Sequence, residues 1–301
     1  MNIFITGGAG FLGSEISKLL SKKHRIYIYD VITKNKKKNI FYIKGDISNQ
    51  KKIRYYLVKK KIDTILHFAA SLGVKNTEEN PLKVIEINIK GTINLLECIK
   101  KTRVKKIIFA SSSEIYGDNK KKIVSEKDLT SPKSVYGHTK ITGEEILKTF
   151  CRMYKINFNI VRFFNICGKN QRNDFVISKF AELIRKEKPI PIYGNGNQIR
   201  CFCHVKDAAI AVSKLLKNGK NNEIYNIGNN SEPIKIINLA KKMIKMSNKK
   251  ITIKKIPFRF TDRTAKREIY FRIPNLKKVK RDLNFRAKIN LSRIISEILQ
   301  S

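Results

Sequence analysis

The sequence predicts an α/β protein built on a doubly wound parallel sheet, with a smaller C-terminal lobe. Three observations point there. Strand-like and helix-like segments alternate through the first half of the chain. The strands are nearly continuous in apolar residues, as strands covered on both faces must be. A glycine-rich turn, "ITGGAGFLG", joins the first strand to the first helix.

The elements follow in order. "NIFIT" reads as a strand and Phe11 to Lys22 as a helix, then "RIYIYD" ends at Asp30 and "NIFYIKGD" at Asp46. Asn49 to Lys60 reads as a helix and "DTILHFAA" as a strand. Residues 81 to 101 carry apolar positions at helical spacing, and "KKIIFASSS" is the next strand. Val135 to Tyr154 is helical, and "FNIVRFFNI" a strand again. After Gly168 the rhythm loosens into a helix, a turn with two prolines, a short strand and a Gly-Asn loop. "DAAIAVSKLLKNG" is helical and "EIYNIGN" is suited to return to the sheet. Residues 233 to 246 and the tail read as further helix. The expected domains are therefore 1–168, with 205–228 returning to it, and a lobe of 169–204 and 229–301 that caps the carboxyl ends of the strands.

Composition narrows the function classes. The 301 residues are 42% hydrophobic, enough for a sizeable core. No stretch approaches the ~20 apolar residues of a membrane span. "MNIFITGGAG" shows no basic leader, so a cytoplasmic location is expected. Five cysteines show no metal-ligand spacing, so reduced thiols and no metal site are expected. Lysine and arginine total 64 against 24 acidic residues, a formal charge of +40. The lysines run from end to end beside asparagine and isoleucine, as in "KMSNKKITIKK". That is a bias in residue usage, not a patch facing a phosphate backbone, and no specific nucleic-acid role is expected. The positive field would still steer small anions inward.

Gly7, Gly10 and Gly13 follow a strand and open a helix. A tight turn, a close pyrophosphate and close helix–strand packing each need a residue without Cβ. The amides of Phe11, Leu12 and Gly13 then face the phosphates. Asp30 ends the second strand, where a carboxylate accepts from both ribose hydroxyls of NAD and repels a 2′-phosphate. The lysines at 34 and 36–38 are compatible with NADP, but Asp30 favours NAD. Asp46, followed by Ile47, is positioned either to meet the adenine or to cap a turn.

Tyr136 and Lys140 in "YGHTK" share one side of a helix at i, i+4 spacing. An ammonium beside a phenol favours the phenolate, so a lowered tyrosine pKa is expected. Such pairs also decorate many helices, and the weight comes from Ser112. It ends one strand while Tyr136 starts the helix after the next loop, so both belong at one carboxyl edge.

On these motifs the chain resembles the extended short-chain dehydrogenases that act on nucleotide sugars: 4-epimerases, 4,6-dehydratases and nucleotide-glucuronate decarboxylases. The resemblance implies a Rossmann-type sheet, NAD as cofactor, a nucleotide-diphosphate sugar (a UDP-sugar first) as substrate, and a homodimer through the helix at 81–101 and the one starting near Tyr136. Phe68, Ala69 and Ala70 in "HFAA" are similar to the wall beside the nicotinamide ribose, and Asn88 to an asparagine that supports the site. Ser112 and Ser113 would meet the sugar, Asn165 and Arg200 the diphosphate, and Tyr193 the base. Arg272 is a second phosphate candidate with Arg267 behind it, and Gly73 and Lys75 lie in a loop suited to touch sugar or cofactor phosphates. Tyr136 would take the proton from the sugar's 4-hydroxyl, Lys140 would orient the nicotinamide ribose, and Ser112 would donate to the reacting oxygen. The triplet Ser112-Ser113-Glu114 has the glutamate of 4,6-dehydratases but a serine in place of their usual acid. A 4-epimerase is the first expectation. A dehydratase or decarboxylase using Glu114 is the alternative, and a role for Glu114 as a backbone cap stays open.

Overall fold

The structure, a computed structural model, describes residues 1–301 except 36, 73–76, 78, 120, 259–267 and 301. Among the described residues, seven parallel strands form the main sheet: β1 (Asn2–Thr6), β2 (Arg25–Asp30), β3 (Ile40–Lys44), β4 (Thr64–His67), β5 (Lys106–Ser112), β6 (Asn157–Phe163) and β7 (Glu223–Ile227). Their spatial order is β7-β6-β5-β4-β1-β2-β3, so the winding reverses between β4 and β1. Such a switch point leaves a crevice outside the carboxyl ends of the strands, where ligands of open α/β sheets bind. The expected doubly wound fold is observed.

Alternation along β1 shows why both sheet faces are covered. Ile3 and Ile5 pack with Ile16 and Leu20 of α1 (Phe11–Leu20) and with Ala208 and Val212 of the helix Val205–Asn218. Phe4, between them, points the other way, toward Leu57 of α2 (Gln50–Lys59) and Leu95 of the helix Gly91–Ile99. Burying one such side chain is worth about 1.5–3 kcal/mol, so either face stripped of its helices would leave the sheet unstable.

The segment read as one helix from 81 to 101 is interrupted. Helix α3 (Pro81–Ile85) passes through a π-helical turn, Glu86–Lys90, into α4 (Gly91–Ile99). The extra residue shifts the helical phase by about 100°, but apolar residues lie around much of this segment's circumference, so the sequence pattern does not reveal it. Helix α5 (Val135–Met153) begins at Ser134, whose hydroxyl accepts from the Gly137 amide at 3.0 Å. Among the described residues no helix is long and apolar enough to cross a membrane.

The C-terminal part has its own core, including Phe180, Ile184, Ile192, Leu239, Met243, Ile294 and Ile298. Its four-stranded sheet sets Phe271–Pro274 between Ile199–Arg200 and Ile123–Val124, with Arg200 and Arg272 as register partners. Arg267, Gly73 and Lys75 lie outside the described residues.

Candidate active site

The glycine turn has the shape its sequence requires. Gly7 takes φ +70°, and a Cβ there would come within 2.6 Å of the Ala69 amide nitrogen. A Cβ on Gly13 would meet the Gly7 carbonyl oxygen at 2.5 Å, so the helix rests directly on the strand. Gly10 faces open space apart from the Gly7 oxygen at 3.3 Å. Helix α1 has no side-chain cap at its start, which leaves its first amides to a ligand. The turn is thus a cradle suited to a pyrophosphate.

Asp30 supports that cradle directly. Its carboxylate accepts from the Ala9 amide at 2.9 Å and from the Ile32 amide at 3.1 Å. Asp46 accepts from the Ser48 amide at 2.8 Å, which holds its carboxyl below the usual range. This is the turn-capping role, and the exposed side chain stands near Ile47, which packs against Gly91. Phe68 meets Phe163 edge-on at 6.2 Å, and Ala69 donates its amide to the Thr6 hydroxyl at 3.3 Å. Phe68 to Ala70 therefore stand beside Gly7 as a wall of the crevice.

Ser112, Tyr136 and Lys140 converge at the carboxyl edge of β5. The Ser112 hydroxyl stands close enough to the Tyr136 phenol to favour its ionised form. The Ser112 hydroxyl also accepts from the Glu114 amide at 3.2 Å, capping the 3₁₀ turn Ser113–Tyr116. The Lys140 ammonium donates to the Ala110 carbonyl at 2.9 Å and lies 5.7 Å from the Tyr136 ring centroid. The pKa directions differ from expectation. Burial and then the Glu114 carboxylate push the Tyr136 phenol above the ordinary tyrosine range, while Ser112 and Arg272 oppose them. Lys140 is pushed down to about 8, by burial against the attraction of Glu144. Desolvation, invisible in sequence spacing, outweighs the helical pairing on which the lowered phenol was expected.

Glu114 reaches into this group. One oxygen accepts from the Ser134 hydroxyl at 2.7 Å, and the other lies 3.6 Å from an Arg272 Nη. The Arg272 Nε is buried with no hydrogen-bond partner among the described residues, so this guanidinium has capacity for an anion. Arg272 thus lies with Glu114 beside Tyr136, while its register partner Arg200 is 3.2 Å from Glu268. Ser113 is buried. Asn165 takes a left-handed φ of 38° and donates its amide to the Cys201 carbonyl at 3.0 Å. Tyr193 ends the short strand Ile190–Tyr193, its ring 5.8 Å from the Lys179 ammonium.

The π-turn places Asn88. Its side chain accepts from the Ser71 amide at 2.8 Å and donates to the Ser71 carbonyl at 3.0 Å and the Thr139 hydroxyl at 3.0 Å. It therefore ties the segment after β4 to the helix bearing Tyr136. Behind it, Thr92 donates to the Asn88 carbonyl at 2.6 Å and so accepts from His67 Nε2 at 3.0 Å. The His67 Nδ1 then accepts from Thr6 at 2.7 Å, which assigns the neutral Nε2–H tautomer. Burial holds this imidazole down at about 3, with Lys140 adding to the effect. His67 falls within the "HFAA" stretch, but its buried link to Thr6 and Thr92 carries no spacing signal in the sequence.

A family model, that of the NAD dependent epimerase/dehydratase family, matches residues 3–228. The chain belongs to this family. As a family member it is 37% identical over 242 residues to a putative UDP-glucose 4-epimerase of Methanocaldococcus jannaschii, covering 76% of this chain and 77% of that one. It is 32% identical over 257 residues to the dTDP-D-glucose 4,6-dehydratase of Homo sapiens, covering 81% and 73%. Among solved structures, a mutant UDP-glucuronic acid 4-epimerase from Bacillus cereus, in complex with UDP-4-deoxy-4-fluoro-glucuronic acid and NAD, superposes with a TM-score of 0.90. It shares 26% identity over 100% of this chain and 98% of that one. Among the described residues no cluster of histidine, cysteine and acidic side chains is fit to hold a metal.

Proposed function

We propose that this protein is an NAD-dependent nucleotide-sugar 4-epimerase acting on a UDP-sugar. The observation that carries the reading is the convergence of Ser112, Tyr136 and Lys140 at the carboxyl edge of β5, beside the crevice lined by the glycine turn. When bound, NAD accepts a hydride from carbon 4 of the sugar and returns it. The amides of Phe11, Leu12 and Gly13 would hold its pyrophosphate, and Asp30 its adenosine ribose. Tyr136 takes the proton of the 4-hydroxyl while Ser112 hydrogen bonds to the same oxygen. Lys140 supplies the positive charge against which the phenol ionises, which its burial makes effective at short range. Arg200, with Asn165 and Tyr193, would hold the nucleotide end. Residues 1–168 and 205–228 would carry the cofactor, and 169–204 with 229–301 the sugar nucleotide.

Ser113 supports epimerisation over dehydration. A buried serine follows Ser112, so the chain offers no acid there to protonate a departing 6-hydroxyl. Glu114, directed into the site by Ser134 and Arg272, favours the second reading: a dehydratase or decarboxylase that uses this carboxylate at carbon 5 or on a glucuronate. A homodimer is part of the proposal. Leu82, Ile85 and Ile93 are exposed along the 81–99 segment, with Leu82 at 80%.

The test is incubation with NAD and a panel of nucleotide sugars, with products resolved by mass and chromatography. Epimerisation leaves the mass unchanged, dehydration removes water, and decarboxylation removes carbon dioxide. Turnover of no nucleotide sugar would reject the enzyme reading. Loss of water or of carbon dioxide would replace the first choice with the second.

A further inference from the structure

A chain of buried polar groups lies behind the catalytic side chains. Ser111 and Ser112 are consecutive on β5 and point to opposite faces of the sheet. While Ser112 meets Tyr136, the buried Ser111 hydroxyl donates to Glu144 Oε1 at 2.5 Å. Glu144 lies on α5, eight residues after Tyr136 and four after Lys140, and is completely buried. Arg162 of β6 meets it as a fork, Nε to Oε1 at 3.1 Å and Nη2 to Oε2 at 2.7 Å. The other arm of Arg162 donates to the Tyr116 hydroxyl at 2.9 Å and the Glu126 carbonyl at 3.0 Å. Tyr116 in turn donates to Asn226 Oδ1 at 2.7 Å.

The placement is geometric as well as polar. Ser111, Arg162 and Asn226 are register partners, one rung across β5, β6 and β7. Glu144 drops onto that rung from the helix, and Tyr116 closes the turn that carries Glu114. A helix resting on a sheet by apolar contacts alone tolerates small slides. A bidentate carboxylate–guanidinium pair with a short hydroxyl contact does not, because every bond has a required direction. Apolar residues of similar volume would stabilise such a site at least as well. Stability therefore does not account for the pair, whereas geometry does.

We propose that Glu144 and Arg162 are positioning residues: their buried ion pair holds the helix bearing Tyr136 and Lys140 in register with the strand end bearing Ser112. This rests on the reading of those three as the reacting group. Neither residue touches the site itself. Glu144 acts on Lys140 also through its charge, which favours the ammonium.

The test is the double variant Glu144→Leu/Arg162→Met, which removes both charges of the pair together. It is expected to melt within a few degrees of the parent, with an unchanged KM, while kcat falls about 10²-fold, the scale set by misplacing reacting groups by about 1 Å. A second readout needs no turnover: the ring resonances of isotopically labelled Tyr136, identified by their loss in Tyr136→Phe. They are expected to shift and broaden as the phenol loses its fixed place against Ser112. Should the double variant not fold, Glu144→Asp retains the charge but withdraws the carboxylate by one methylene. It is expected to show both effects, with kcat down about tenfold. Arg162→Lys is expected to resemble it, since an ammonium lacks the fork. A kcat within about threefold of the parent, or unaltered Tyr136 resonances, would overturn the proposal. A parent chain inactive on every nucleotide sugar would reject the proposed function, and the resonances would still decide this inference.

Discussion

Replacing Lys140 with methionine is expected to stabilise the cofactor-free fold while abolishing turnover. Lys140 is 4% exposed, and burial lowers its pKa from 10.5 to about 8. Below pH 8 the ammonium is present in both the folded and the unfolded chain, and the folded state bears the full cost of burying it. As pH rises from about 8 to 10.5 the folded state loses its proton first, and that cost disappears. By linkage the shift corresponds to about 3 kcal/mol at neutral pH. The bond to the Ala110 carbonyl offsets it, since losing that partner costs about 1 kcal/mol. The net gain from methionine, which fills much of the same space, is about 2 kcal/mol, or roughly 4 °C in Tm for a chain of this size. Thermal melts of parent and variant at neutral pH and at about pH 10 measure it, with the gap expected to narrow at the higher pH. A variant that melts below the parent at neutral pH, or a gap indifferent to pH, would refute the reasoning. On the proposed function, that outcome would make the lysine a case of stability surrendered for function.

Three further outcomes are expected. Asp30→Asn removes the carboxylate that braces the Ala9 amide and repels a 2′-phosphate, so preference for NAD over NADP should fall about tenfold in titrations of both dinucleotides; undiminished preference would sink the ribose argument. Glu114→Gln should cost an epimerase less than tenfold, while Tyr136→Phe costs about 10²-fold. A glutamine enzyme that stalls with reduced cofactor absorbing at about 340 nm, and a product deuterated at carbon 5 in heavy water, would show elimination instead. Introducing charges with Leu82→Asp and Ile93→Asp should convert a dimer to monomer in light scattering, because both side chains are exposed on the 81–99 segment; a parent chain already monomeric at micromolar concentration removes the dimer.

Local chemistry made much of the fold and part of the site legible in the sequence. The alternation of apolar strands with helical segments, and glycines where a Cβ would strike the Ala69 amide or the Gly7 carbonyl, need only periodicity and sterics, and the sheet and its glycine turn follow from them. The i, i+4 spacing of Tyr136 and Lys140 likewise placed them on one side of a helix. What their pKa values become was decided by the tertiary structure, since desolvation depends on neighbours from distant segments. The same holds for the Arg272–Glu114 contact, which joins residues more than 150 positions apart, and for the π-turn that presents Asn88 to Ser71 and Thr139. Nothing in the spacing of Glu144 and Arg162 marks them as a pair in the sequence. Only the register of three strands under one helix buries them together, because a charge's surroundings are set by packing and not by its place in the sequence.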